Sequence, residues 1–353
     1  MLTVYVDDLL LSGPESAHAA FWAELRKLVR LDDPEPLGRF SGRDHAVKSR
    51  EPNGTEIAFD MTDFAQSAVD MYAKITGATK FRTATTPFVA DGSLTQEGEC
   101  SRGELKGHAC AVLMKNLWLA RLARPDLQKA IGDLSTHITT WSANDDRRLY
   151  RLICYINSTK GYRLNGRVMD KPADLRLKLY VDADFAGGLD DAKSTSGGFL
   201  VLEGPNTFFP LAWLAKKQGS TARSTTEAEV VSLAQGLFQE ALPMVSLWEK
   251  LLGRKPELVV MEDNQATIKV VLKGYSPKLR SLVRTQRVDL ASIKEVFDCD
   301  DAKIEYVKTD KQAADIFTKA LEPAKWQNAL DLLGIEGAGT SGIKPTECDR
   351  EDA

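Results

Sequence analysis

Acidic residues stand at chemically informative places in the second half of this sequence. Asp182 and Asp184 close the apolar stretch of LKLYVDADF, and Glu227 and Glu229 open the long pattern STTEAEVVSL. Asp263 follows the β-branched run of LVVMEDN, and Asp315 interrupts the apolar AADIF of the terminal helical region. Strand ends and helix starts at one edge of an α/β sheet face a common crevice, so carboxylates there converge on one ligand. A carboxylate set with no histidine suits hard, oxygen-preferring cations and selects Mg²⁺ or Mn²⁺. Two such ions about 3.5–4 Å apart activate water and stabilise the leaving oxygen of a phosphodiester. Structural readings compete residue by residue: Asp263-Asn264 can cap a helix, and Glu227 can be a first-turn acid favoured by the helix dipole. Asp315, in apolar surroundings, is the hardest to read that way.

A second acidic pair, Asp7-Asp8, lies within MLTVYVDDLLLSG, a run that ends in the turn signal Ser12-Gly13-Pro14. Charges in so apolar a run belong at a β-hairpin tip, in solvent or beside a cation. Other metal chemistry finds little support. Cys100, Cys110, Cys154, Cys299 and Cys348 form no CxxC pair, and His18, His45, His108 and His137 make no HExxH, which argues against zinc and for reduced thiols inside a cell. Asp182-Ala183-Asp184 begins like an EF-hand loop, but Ala186 replaces a third oxygen ligand and Lys193 the required bidentate Glu.

The 353 residues suggest two or three domains, and 43% hydrophobic with 27% charged content is ordinary for a globular chain. The formal net charge of −4 gives no global basic field, so any nucleic-acid contact must come from local patches. No apolar run is expected to reach the roughly 20 residues of a membrane span. Met1 leads straight into an apolar strand, as a truncated chain would.

Pattern along the chain sets the elements that must position these acids. After the hairpin come an amphipathic helix over 14–30, short strands near 46–48 and 56–59, and a helix that Asp60 starts and Gly77 stops. Residues 80–100 read as an extended linker and 101–174 as a helical connection. From Leu175 the pattern changes to three strands, one long helix kinked at Pro243, then alternating strands and helices. That order predicts an α/β layer with a mixed sheet flanked by helices, followed by a disordered tail over 334–353.

Five blocks in order, YVDADFAG, DDAKSTSGGF, WLAKKQGSTARSTTEAEVVSL, EDNQATI and YVKTDKQAADIFTKAL, resemble the ribonuclease H domain of copia-type LTR-retrotransposon Pol polyproteins. YVDDLLLSG resembles the reverse-transcriptase palm hairpin of the same polyproteins, and the helical segment is similar to the part joining polymerase to ribonuclease H. The resemblance implies a partial palm and thumb over 1–79 and a ribonuclease H-like domain over 175–333.

Carried over residue by residue, it places the metal-binding acids on Asp182, Glu229, Asp263 and Asp315, with Asp184 as an auxiliary and Glu227 nearer solvent. Asp7 and Asp8 would bind polymerase metals, but the third palm aspartate and the fingers lie outside this sequence, so no autonomous DNA synthesis is expected. The implied activity is two-metal hydrolysis of the RNA strand of an RNA–DNA hybrid, with Lys216, Lys217, Arg223, Lys278, Arg280, Arg284 and Arg287 as candidate phosphate contacts. RTQRVDLASIKEV departs from the family, with Arg287 where a histidine is common. The competing reading is an inactive retroelement relic that binds nucleic acid at most. Partners implied are the hybrid and the upstream polymerase segment, with no membrane, in the cytoplasm, the nucleus or a retroelement particle.

Overall fold

The computed structural model describes residues 1–51, 54–90, 92–187 and 191–337. Its strands are β1 (Leu2–Tyr5), β2 (Asp8–Leu11), β3 (Arg39–Phe40), β4 (Arg43–Glu51), β5 (Gly54–Asp60), β6 (Arg163–Val168), β7 (Arg176–Ala183), β8 (Thr195–Glu203), β9 (Phe208–Lys217), β10 (Leu258–Glu262), β11 (Ala302–Tyr306) and β12 (Ile335–Glu336). β1 and β2 form a separate hairpin, while the others join one sheet in the order β11-β10-β7-β8-β9-β6-β5-β4-β3, with β12 beside β6. β10 runs parallel to β7 and β11, and the remaining pairings are antiparallel, so the sheet is mixed as expected.

β8 shows why this sheet forms. It is buried on both faces, so its sequence reads as a continuous apolar run. Alternation sends Phe199 and Val201 into one core and Leu200 and Leu202 into the other. The first core is closed by the helices Thr62–Thr76, Ala109–Leu122, Gln128–Thr136, Ala143–Ser158 and Pro323–Leu333. The second lies under Thr225–Leu252, Gln265–Lys273 and Leu290–Phe297.

Several expectations change in three dimensions. The stretch 163–168, read as part of a helical connection, is strand β6 between β5 and β9, so β3–β5 continue the same sheet. Its polar RLNGRV carries little local strand signal because its partners are distant in sequence. Gly166 matters there: a Cβ at this position would come within 2.6 Å of Phe209. The long helix does not bend at Pro243 alone, since a π-helical turn over Gly236–Ala241 separates its two α-helical halves.

By length and composition that helix also meets the test for a membrane span, with mean hydropathy 1.2 over an 18-residue window, which amends the sequence expectation. Half of the window is buried inside the protein, chiefly in the Thr225–Gln235 half. Residues 80–100 include a helix, Gln96–Cys100, and a buried Ala84. The predicted tail begins too early, because Ile335–Glu336 pairs with β6; residues 338–353 lie outside the described ones. The expected helix over 14–30 is present as Glu15–Leu25, yet none of its residues is buried.

A buried ionic cluster ties the helical layer together. Arg124, 1% exposed, donates to both Asp126 oxygens (2.9 and 2.7 Å) and to the Thr159 carbonyl and hydroxyl (2.8 and 2.9 Å). Tyr155 donates to Asp126 at 2.7 Å and receives the Trp326 indole N–H at 3.1 Å, which links the cluster to the C-terminal helix. Removing one partner of such a pair leaves an uncompensated buried charge, so Asp126→Ala is expected to cost about 3–5 kcal/mol in denaturant unfolding. A loss below about 1 kcal/mol would mean that water reaches Arg124.

Candidate metal centre

Asp182 is the second-last residue of β7, where the apolar strand LKLYV runs out. Its side chain is 1% exposed and is held from several sides. The Thr318 hydroxyl donates to Oδ2, and the Lys319 ammonium donates to Oδ1 at 3.0 Å. The Ser232 hydroxyl fixes the Asp182 carbonyl at 2.6 Å and also reaches the Gly197 carbonyl at 3.1 Å. Asp182 faces Gly197 across the β7–β8 ladder. A Cβ at Gly197 would meet Thr318 Cγ2 at 2.6 Å and the Ala314 carbonyl oxygen at 2.9 Å. The absent side chain therefore lets the 314–318 turn close onto Asp182.

Glu229 comes from the first turns of the helix Thr225–Gln235, started by Ser224, whose hydroxyl accepts the Glu227 N–H at 3.2 Å. Asp263 follows β10, ahead of the helix capped by Asn264. Oxygens of Asp182, Glu229 and Asp263 lie within 4.8 Å of one another. They line an open cleft of about 610 Å³ with Asp184, Phe185, Thr225, Gln265 and Lys319.

Burial, followed by the crowding of like charges, sets the electrostatics. Burial, then Glu262, Asp182 and Asp263, pushes the Glu229 carboxyl up to about 10. Burial and the Asp182 charge raise Asp263. Asp315 is pushed up to about 6 by burial and Asp182, against the pull of Lys319. Burial would lower Lys319, but Asp182 and Asp315 outweigh it and the lysine stays firmly protonated. The centre thus holds acids whose ionisation waits for a counter-charge.

The donor set fits a divalent cation. Glu229 Oε2 is buried without a hydrogen-bond partner, as is Oε2 of the neighbouring Glu262, and every converging donor is a carboxylate oxygen. Such oxygens match Mg²⁺ or Mn²⁺ better than softer metals.

The other predicted residues fall in different places. Asp315 does not belong to a helix: it opens a single 3₁₀ turn, Asp315–Phe317, and a new helix begins at Pro323. It is outside the three-carboxylate group and connects to it through Lys319, 2.7 Å from its Oδ1. Asp184 lines the cleft, accepts the Thr195 N–H, and lies 3.8 Å from Lys129. Glu227 is not nearer solvent but 2% exposed, because Oε2 turns back to accept the Arg223 N–H at 3.0 Å.

Asp7 and Asp8 are exposed where β1 turns into β2, and no third acid joins them among the described residues. Lys278, Arg280, Arg284 and Arg287 are exposed on the 278–287 segment. That segment is tied to the loop before the Glu229 helix: Ser220 donates to the Thr285 carbonyl and Gln286 to the Ser220 carbonyl, both at 2.8 Å. Arg223 and Lys216 are exposed too, whereas Lys217 pairs with Asp191 at 2.9 Å.

Sequence reasoning missed Thr318, Lys319, Ser232 and Glu262. Lys319 alone left a signal, an acid–base pair four residues apart.

No family model matches the chain. Curated relatives along 95% of it are retrovirus-related Pol polyproteins of copia-type transposons. The protein from transposon RE1 of Arabidopsis thaliana is 27% identical over 341 residues, and that from transposon TNT 1-94 of Nicotiana tabacum is 23% identical over 343. The chain spans 21% and 24% of their lengths. It also matches Secreted RxLR effector protein 161 of Plasmopara viticola, 33% identical over 36% of this chain and 83% of that protein. Among solved structures, LC11-RNase H1 in complex with an RNA/DNA hybrid is 18% identical over 40% of this chain and 94% of that one, with a TM-score of 0.28. So loose a superposition adds nothing to the strand order described above.

Two outcomes follow from this geometry. Mn²⁺ or Mg²⁺ should bind more tightly as pH rises, because Glu229 carries a proton that a cation must displace; calorimetry in buffers of different ionisation enthalpy reads the released proton. Gly197→Ala should cost about 1–3 kcal/mol in stability by pushing the 314–318 turn off β8, measured by thermal or denaturant unfolding.

Proposed function

We propose that this chain, a relative of the Pol polyproteins of copia-type retrotransposons, is a divalent-cation-dependent hydrolase that cuts the RNA strand of an RNA–DNA hybrid. One observation supports it above the others: three carboxylates from two strand ends and a helix start converge within 4.8 Å in an open cleft. Bound cations would supply the Lewis acidity and the activated water that phosphodiester hydrolysis needs. Asp182, Glu229 and Asp263 would hold them, two ions in the full site. Thr318 and Ser232 keep Asp182 from turning away, the first through its carboxylate and the second through its carbonyl. Asp315 supports the centre from one side.

Phosphates would meet the exposed basic side chains of Lys216, Arg223, Lys278, Arg280, Arg284 and Arg287. These contacts position the duplex without reading its sequence. Selection of RNA on the cut strand would rest on the 2′-hydroxyl. Asp7 and Asp8 are not assigned a polymerase role in this chain by itself; DNA synthesis would require an upstream polymerase segment as partner. We place the activity inside the cell, in the cytoplasm, the nucleus or a retroelement particle.

The test is cleavage of a hybrid labelled on each strand, in Mg²⁺ or Mn²⁺. Cutting of the RNA strand alone is expected, abolished by EDTA and by Asp263→Asn. A folded sample that binds hybrid without cutting it would make the protein a nucleic-acid-binding relic.

A further inference from the structure

Lys319 is the one cation in direct contact with the carboxylate centre among the described residues. Its ammonium lies 3.0 Å from Asp182 Oδ1 and 2.7 Å from Asp315 Oδ1, and the side chain lines the same cleft as Glu229 and Asp263. The opposite Asp182 oxygen is taken by Thr318, whose side chain belongs to a residue only 1% exposed. Lys319 differs in exposure: its side chain is 40% exposed, on a flexible four-carbon stem. One of the two partners of Asp182 is therefore enclosed, and the other has solvent beside it.

We infer that Lys319 is the built-in counter-ion of this centre and competes with the divalent cation for Asp182, so that loading the centre requires Lys319 to leave that oxygen. The inference rests on the cation reading above and goes beyond it, because it makes affinity a property of a residue that is not a ligand. Two positive charges cannot share one carboxylate oxygen without repulsion. The ammonium can give up Asp182 yet keep Asp315, its partner one helical turn away in sequence. Asp315 thereby acquires a role the three-carboxylate group does not explain: it receives the lysine when a metal takes Asp182. Lys319 is on this account a positioning residue that holds Asp182 and Asp315 in place and sets the threshold for cation entry.

The test is calorimetric titration of Mn²⁺ into the full chain and into Lys319→Met and Lys319→Arg, with Asp182→Asn as the reference for loss of the centre. If the lysine-bound form outweighs the open one by about ten to one, Lys319→Met should bind Mn²⁺ roughly tenfold more tightly, and Lys319→Arg should stay near the parent chain. A lysine with a merely structural role would give the opposite, weaker binding on removal. Unchanged or weaker binding by Lys319→Met, with a normal parent titration that Asp182→Asn abolishes, overturns the competition and leaves the cation reading intact. A parent chain that binds no Mn²⁺ overturns both.

Should Lys319→Met fail to fold, ¹⁵N-lysine spectra of the unaltered chain decide the matter, with the Lys319 ammonium signal identified by its loss in Lys319→Arg. That signal should move in step with Mg²⁺ saturation. A signal unmoved at saturating Mg²⁺ overturns the inference.

Discussion

Burial of several carboxylates side by side, with the mutual repulsion it brings, is the constraint around which this crevice is built. Asp182, Glu229, Asp263 and Glu262 crowd together at one edge, and burial, then the charges of their neighbours, raises the cost of ionising Glu229, Glu262 and Asp263. The fold tolerates the arrangement because rigid elements deliver the acids and spare donors restrain them. β7 and β10 are adjacent parallel strands, so their ends bring Asp182 and Asp263 to one edge. Thr318 and Ser232 then fix Asp182, and Lys319 supplies the positive charge in contact with it. A site of this kind is poised for a cation, since binding relieves the repulsion that folding imposes.

The rest of the molecule serves that edge by making the sheet immobile. β8, buried on both sides, is the partition between the two cores, and Gly197 on it gives the 314–318 turn its seat. The helices of the 101–174 region pack on the face from which Phe199 and Val201 project, and Trp326 reaches from the last helix into the Arg124–Asp126–Tyr155 cluster. A segment that reads as a connector is thus part of the scaffold holding the terminal turn near Asp182. The same sheet continues through β6 to β3, so β3–β5 share one sheet with the carboxylate-bearing strands β7 and β10.

The relationship to copia-type Pol polyproteins covers nearly the whole chain but about a fifth to a quarter of theirs. Within that span Asp182, Glu229 and Asp263 converge at one edge of the large sheet, whereas Asp7 and Asp8 lie on a separate two-stranded hairpin with Val4 and Val6 exposed. The two acidic motifs therefore differ physically: one is enclosed by a core and the other is carried on a hairpin that encloses nothing.

Local pattern alone determined much of this. Alternating and continuous apolar runs gave β7, β8, β9, β10 and β11; Gly77 ended a helix in the left-handed conformation that glycine favours; and acids at strand ends, a helix start and the terminal helical region offered Asp182, Asp184, Glu227, Glu229, Asp263 and Asp315 together, among which the family resemblance favoured Asp182, Glu229, Asp263 and Asp315. What it could not determine depends on contacts between residues far apart in sequence. β6 has no strand signature of its own and exists because β5 and β9 offer it hydrogen bonds. Glu227 and Glu229 look alike in the pattern of STTEAEVV, and the packing of their helix turns one back to accept the Arg223 N–H while the other faces the cleft. Asp182 and Lys319 are 137 residues apart, and their contact requires Gly197 to leave room for the intervening turn. Periodicity reports which face of an element is apolar, but the charges that meet across a cleft are set by how whole elements pack.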